Sequence, residues 1–345
     1  TIIIMKSASI RAMTPLLTSF HKLELPTHIE NIFSRKSQFQ RLSTVRNSSD
    51  EGKAASNPEA DLHTSLPFGP IDYSRGWAWQ QVLLLKRKER RFRVDVYDDR
   101  DNILFLEHKP VYTLGRGADE NNLTFLKEEK NNEARKRLSR TCRGPGSSRL
   151  AIDAHLSEQF KSLPMQNIVD KLAGMAHPII APNGAPIYRI ERGGEVTYHG
   201  PGQLVVYPMF DLRRQPFRKD LHWYLRTVEE VVIEILRVYD IEGVRDSINT
   251  GVWFDKKKIA AVGVSSSSWI TTHGFALNVS PNLEFFDTAY IFPCGIEGRG
   301  VTTIHEILRN RGEINLPTVV DIAHIAADKI ETVFGVKTSS PKLIT

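Results

Sequence analysis

Three short stretches of this 345-residue chain hold side chains that could do chemistry. The densest is Arg192-Gly193-Gly194-Glu195-Val196-Thr197-Tyr198-His199-Gly200-Pro201-Gly202-Gln203. Its glycines let backbone approach a ligand closely, and the polar side chains between them offer charge and hydrogen bonds. It is no Walker loop, because no Gly-Lys-Ser/Thr follows, and no dinucleotide fingerprint, because no helix opens after the glycines. A plain turn would not need Arg, Thr, Tyr, His and Gln among them. The second stretch is Phe292-Pro293-Cys294-Gly295. A lone cysteine is most often a small buried hydrophobe. Proline before and glycine after it suit instead a tight turn that exposes the thiol and presents N–H groups able to hold a thioester oxyanion. The third is Lys256-Lys257-Lys258, leading into Ile259-Ala260-Ala261-Val262-Gly263. Lys256 and Lys257 read as a solvated turn, whereas Lys258 opens an apolar strand and is expected to point inward. A lysine beside a cysteine stabilises the thiolate and can trade a proton with it, as nucleophilic acyl transfer requires. Cys142, flanked by Arg140 and Arg143, also favours a thiolate, but no expected framework there could hold a substrate.

The elements that must position these residues follow from patterning. Residues 77–88 suit a helix with an apolar stripe through Trp77, Val82 and Leu85. Asn102–Glu107 and Pro110–Leu114 read as a strand and its continuation, stopped by Gly115 and Gly117. Strands are expected at Ile187–Glu191 and Gln203–Pro208, with the glycine-rich loop between them. Asp220 caps a helix with Leu221, Tyr224, Leu225, Val228, Val232, Ile235 and Leu236 on one face. Gly251–Phe254, Lys258–Val264 and His273–Val279 read as three strands, the first two joined by a hairpin-like link at Asp255–Lys257. A last helix is expected from Pro317 to Gly335. Alternating helices and strands predict an α/β domain. Residues 127–183 break the pattern: Arg135 to Arg149 contains six bases and no acid, and prolines stand at 178, 182 and 186. That stretch is expected to be a mostly mobile insertion.

Composition narrows the function. The chain is 41% hydrophobic, 25% charged and carries a net charge of +6. Seven of its bases and only Glu24 and Glu30 among its acids precede Asp50, which leaves 39 bases against 38 acids in the remainder. A nucleic-acid binder keeps its basic surplus on the folded body, so that class is disfavoured. Two cysteines make no disulfide framework and fit a reducing compartment. No apolar run approaches the roughly 18 residues that cross a bilayer, so no membrane partner is expected. Residues 1–65 are rich in Ser, Thr, Arg and Lys and read as a disordered organellar transit peptide, with the folded domain at 66–345.

Together, the blocks Arg192–Leu212, Gly251–Gly263, His273–Val279 and Pro293–Gly298 resemble lipoyl(octanoyl) transferases of the biotin/lipoate ligase superfamily. The resemblance spans roughly residues 70–310 outside the insertion, and RGGEVTYHGPGQ is its most specific block. It implies a single-domain mixed-sheet α/β fold of the biotin/lipoate-protein ligase catalytic type. It also implies transfer of octanoyl from acyl carrier protein to a lysine of a lipoyl domain. The acceptors would be lipoyl domains of 2-oxoacid dehydrogenase complexes and the glycine cleavage H protein. The family's catalytic cysteine falls on Cys294 and its partner lysine on Lys258. Its acyl-pocket positions fall on Arg192, Gly193, Gly194, Glu195, Val196, Thr197, Tyr198 and His199, on Ala261, Val262 and Gly263, and on Gly274, Phe275 and Ala276. A thioester donor is already activated, so neither metal nor cofactor is expected. Two rival readings stand beside this one: an ATP-dependent lipoate ligase on the same fold, and a non-catalytic lipoyl-domain binder inactivated by the insertion. Asp220-Leu221-His222-Trp223-Tyr224-Leu225 resembles plant plastid members, which with the leader points to the chloroplast ahead of the mitochondrion.

Overall fold

The computed structural model describes residues 57–90, 100–127, 136, 163–291 and 299–344. Among these, the apolar strands assemble into two mixed sheets. The larger is built from β1 (Glu59–Thr64), β2 (Asp101–Leu106), β7 (Gln203–Met209), β8 (Val244–Arg245), β9 (Val252–Phe254), β10 (Lys257–Ser267), β11 (Ile270–Asn278), β12 (Lys337–Thr338) and β13 (Lys342–Leu343). Its order is β12-β1-β2-β7-β11-β10-β9-β8, with β13 also on β1. From β2 through β8 the neighbours run antiparallel, while β1 runs parallel to β2 and β12. The smaller sheet orders β4 (Ile179–Ile180), β5 (Pro186–Arg189), β3 (Val111–Leu114) and β6 (Val196–His199).

Helices cover both faces of the larger sheet. Asp220 accepts the His222 and Trp223 N–H groups at 2.8 and 3.1 Å and so starts α3 (Leu221–Arg237). A reciprocal Thr318–Asp321 capping box starts α5 (Val319–Phe334), which ends at Gly335 with φ 68°. These two helices and α4 (Ile304–Asn310) bury Val228, Val232, Ile307, Ile322 and Ile330 against Val206, Val262, Phe275 and Leu277 of the sheet. The opposite face takes α1 (Tyr73–Arg90) and α2 (Met165–Gly174), which pack on each other. Turns with positive φ at both central residues, Asp255-Lys256 and Ser268-Trp269, set the β9-β10 and β10-β11 hairpins, and that hand matches strand twist.

Four expectations change. The folded body begins before Leu66: β1 is short and carries Glu59, Asp61 and His63, yet Ala60 and Leu62 are buried between β12 and β2. Residues 102–114 do not continue one strand, because Lys109-Pro110 separates β2 in the large sheet from β3 in the small one. The glycine-rich stretch holds β6, whose alternating Val-Thr-Tyr-His pattern pairs with β3. The last third of the expected insertion belongs to the body. There Ile168, Val169 and Leu172 of α2 are buried, and Asn183 donates to the Tyr112 hydroxyl at 2.8 Å. The rest of that insertion apart from Lys127 and Lys136, like residues 1–56, lies outside the described residues.

Candidate active site

A cavity of about 210 Å³ lies between the larger sheet and the smaller one. Its floor is the face of β10 and β11 that carries Ala261, Gly263, Gly274 and Ala276, paired Ala261 to Ala276 and Gly263 to Gly274. Small residues at four adjoining positions turn a sheet surface into a slot. Gly274 is obligatory there, since a Cβ would stand 2.3 Å from the Val206 carbonyl oxygen.

The roof comes from the glycine-rich stretch, which is tied to both sheets. The Gly193 N–H donates to the Val264 carbonyl at 3.1 Å and the Arg116 N–H to the Arg192 carbonyl at 2.8 Å. Gly194 takes φ 88°, a conformation that favours glycine. Strand alternation in β6 then divides the segment. Thr197 and His199 face the cavity, while Tyr198 turns into an apolar cluster and stacks on Phe285 at 4.6 Å; Val196 packs in that cluster and also borders the cavity. Of the fourteen expected pocket residues, Gly193 and Tyr198 do not line the cavity; Gly193 serves instead as a backbone staple.

A directed chain of hydrogen bonds runs behind this roof. Arg192 donates to the Thr113 carbonyl and hydroxyl oxygens at 2.8 and 2.9 Å. With its oxygen already accepting, the Thr113 hydroxyl is free to donate to His199 Nε2 at 3.3 Å. His199 Nδ1 then donates to Gln203 Oε1 at 2.7 Å, Gln203 donates to Asn278 at 2.8 Å, and Asn278 to the Thr302 carbonyl at 3.1 Å. This network assigns the Nδ1–H tautomer. Burial pushes the His199 pKa down to about 3, so the ring stays neutral and the chain keeps its direction.

Lys258 is buried at the end of the slot that this chain reaches. Its backbone pairs with the segment after Cys294: its N–H donates to Gly300 and its carbonyl accepts from Thr302, both at 3.0 Å. Its Nζ sits 4.7 Å from the Trp253 ring centre, and the Arg299 guanidinium lies 5.2 Å from the same ring. Arg299 also binds Asp246, holding that carboxyl below its ordinary range. Cys294 itself is in 292–298, outside the described residues, as is Cys142.

Residues that the sequence did not flag close the other end: Tyr73, Tyr207 and His273. His273 has φ 60° in the middle of β11, which turns its ring onto the cavity face beside Gly274. Its N–H donates to Gln80 at 2.8 Å, and its Nε2 lies 3.8 Å from Glu191, which also accepts from Trp77. Burial would raise the Glu191 pKa, but His273 and Trp77 more than offset it and leave the carboxyl below its usual value. Tyr207 shares a 3.1 Å hydrogen bond with His108. These contacts join residues 82 to 193 positions apart, so no local signal announces them, although the positive φ of His273 marks strain of the kind found at functional sites.

Comparisons with known proteins agree on one family. The chain matches the lipoyl protein ligase A/B catalytic domain over residues 172–325. It is 39% identical over 228 residues to an octanoyltransferase of Gloeobacter violaceus, covering 66% of this chain and 73% of that protein. An octanoyltransferase of Synechococcus elongatus is 40% identical over 238 residues, covering 69% and 75%. A chloroplastic octanoyltransferase of Arabidopsis thaliana is 35% identical over 269 residues, covering 76% and 73%.

Proposed function

Because this chain belongs to the octanoyltransferase family, acyltransferases with the mixed-sheet lipoyl protein ligase A/B catalytic fold, we propose that it moves octanoyl through a thioester on Cys294. The donor is octanoyl-acyl carrier protein. The acceptors are lipoyl-domain lysines of 2-oxoacid dehydrogenase complexes and of the glycine cleavage H protein. One observation carries the reading: a small-residue slot ends at a buried lysine whose backbone is paired to the segment that follows Cys294.

The steps follow from that arrangement. Lys258 takes the thiol proton, and the Cys294 sulfur attacks the donor carbonyl carbon. The bond to the carrier sulfur breaks, and the carrier thiolate leaves with a proton from Lys258. The acceptor amine then attacks the acyl-enzyme, an amide forms, the Cys294 thiolate departs, and Lys258 collects the amine's proton. One thioester replaces another in the first half, so it is nearly balanced, and the amide makes the second half favourable. The alkyl chain occupies the slot over Ala261, Gly263, Gly274 and Ala276, and each buried methylene contributes about 0.8 kcal/mol. The binding residues are Arg192, Gly194 to Thr197, His199, Ala261 to Gly263 and Gly274 to Ala276, with Gly193 and Tyr198 holding the loop in place.

Mass spectrometry of the enzyme mixed with octanoyl-carrier tests this. An octanoyl adduct on Cys294 that disappears on adding lipoyl domain is expected. Turnover without any adduct rejects the thioester, and activity of Cys294→Ser with free octanoate and ATP would mark a ligase instead. We place the enzyme in the plastid, a reading supported by the cyanobacterial and chloroplastic relatives. Imaging of a fusion to residues 1–65 checks it.

A further inference from the structure

The slot has chemically different ends. Along β10, Lys258 stands at one end, Ala261 and Gly263 follow, and the floor stays small as far as the Gly263–Gly274 pair. At about 3.3 Å per strand residue, the five steps from Lys258 to Gly263 span roughly 16 Å. Beyond that pair the cavity is lined by the polar Tyr73, Tyr207 and His273, the last backed by Glu191, alongside the aliphatic Ile190 and Val205. Most of these polar groups are occupied: Tyr207 with His108, and Glu191 with His273 and Trp77. Tyr73 differs. The residue is 2% exposed, lines the cavity, and its hydroxyl has no hydrogen-bond partner among the described residues. Its ring is held by stacking on Tyr188 at 5.4 Å and by contact with His108 at 5.2 Å, so the hydroxyl cannot swing away to find one.

We propose that Tyr73 is a specificity-determining residue: its buried hydroxyl gives the acyl slot a polar end that limits chain length by chemistry rather than by volume. The inference rests on the octanoyl reading above. An apolar end wall with free space would reward each added methylene by about fourfold in binding. A tail that instead presses against a buried hydroxyl strips that group of hydrogen bonding and loses on the order of tenfold. The second effect is larger, so a chain stops gaining once its tail reaches Tyr73. The floor leading up to that point, Ala261, Gly263, Gly274 and Ala276, is small, so the limit is set by the hydroxyl and not by the floor.

Two measurements of kcat/KM with acyl-carrier donors and a lipoyl-domain acceptor decide it. Tyr73→Phe keeps the ring and removes only the oxygen; the decanoyl-to-octanoyl ratio is expected to rise about tenfold, mainly through the KM for decanoyl-carrier. A ratio within twofold of wild type, with both donors falling together, overturns the inference. The second uses the wild-type enzyme, where 10-hydroxydecanoyl-carrier offers Tyr73 a partner and is expected to outperform decanoyl-carrier several-fold. Equal rates for those two donors also overturn it. A wild-type enzyme that transfers octanoyl but fails both tests removes only this inference. One that transfers no octanoyl removes the functional reading along with it.

Discussion

Two groups of buried polar side chains sit on the larger sheet, and they solve the same physical problem differently. Away from the cavity, Asp101 and Asp211 are buried with Arg87, Arg213 and Arg214 around them. Asp101 accepts from Arg214 and from the Asp211 N–H, and Asp211 accepts from the Arg213 side chain and N–H. Those carboxylates are enclosed by donors. The cavity group (Arg192, His199, Tyr207 and His273, with the half-buried Glu191 beside His273) is networked too, but it meets a Tyr73 hydroxyl that has no hydrogen-bond partner among the described residues, and Lys258 Nζ stands over an indole. Burial and displaced pKa values mark both groups, so neither distinguishes structure from function. What does is whether hydrogen-bonding capacity is aimed into space a ligand can fill.

Substitutions on the two sides should therefore separate activity from stability. The largest expected effect is at Lys258. Lys258→Met should lower octanoyl transfer by about a thousandfold through loss of the proton acceptor, while its melting temperature stays near wild type. Arg214→Met, with Asp101 left buried and underpaired, should do the reverse: it should lose about 3 kcal/mol in urea unfolding with kcat little changed.

Titration gives His199 and Asp101 opposite slopes. Burial lowers the His199 pKa to about 3, so the unfolded chain binds the proton first as pH falls below about 6.5. Its contribution is present above that pH and is lost on acidification. The wild type should lose about 2 to 3 kcal/mol more than His199→Asn between pH 7 and pH 4.5. Asp101 runs the other way. Burial raises its pKa to about 6 despite Arg214 and Arg87, so its contribution is full below about pH 4 and fades as pH rises through 6. Asp101→Asn should remove about 2 kcal/mol of that decline, read from urea midpoints across pH 4 to 7. Parallel slopes for the two variants would erase the distinction drawn here.

The smallest effect concerns the indole under Lys258. A desolvated cation–π contact contributes about 1 to 2 kcal/mol. Trp253→Leu should thus lower kcat about tenfold, and Trp253→Phe, which keeps an aromatic face, should recover most of it. Equal losses in both variants would assign Trp253 a packing role alone.

Particular residues show how far the sequence could be read. The α3 start at Asp220 and the α5 end at Gly335 were legible because a cap is a local event, settled by one side chain or one left-handed residue. β10 and β11 were legible from their apolar runs. β1 was not, because its burial depends on parallel partners about 40 and 280 positions away. In the site, the glycine-rich block and Lys258 stood out by composition, whereas nothing in the local sequence singles out Tyr73 or Tyr207. The block alone also could not say that Tyr198 turns away from the cavity, since its facing depends on how β6 pairs with β3.

The chain's own order of residues determined the family, the small-residue floor and the backbone that can lie over it, because side-chain size, glycine content and capping act over a few neighbours. Only the tertiary structure decided which end of the slot is charged and which ends in a hydroxyl with no hydrogen-bond partner among the described residues. That outcome required helix α1 to bring Tyr73 over a sheet formed more than a hundred residues later, and it depends on long-range packing that no local pattern encodes.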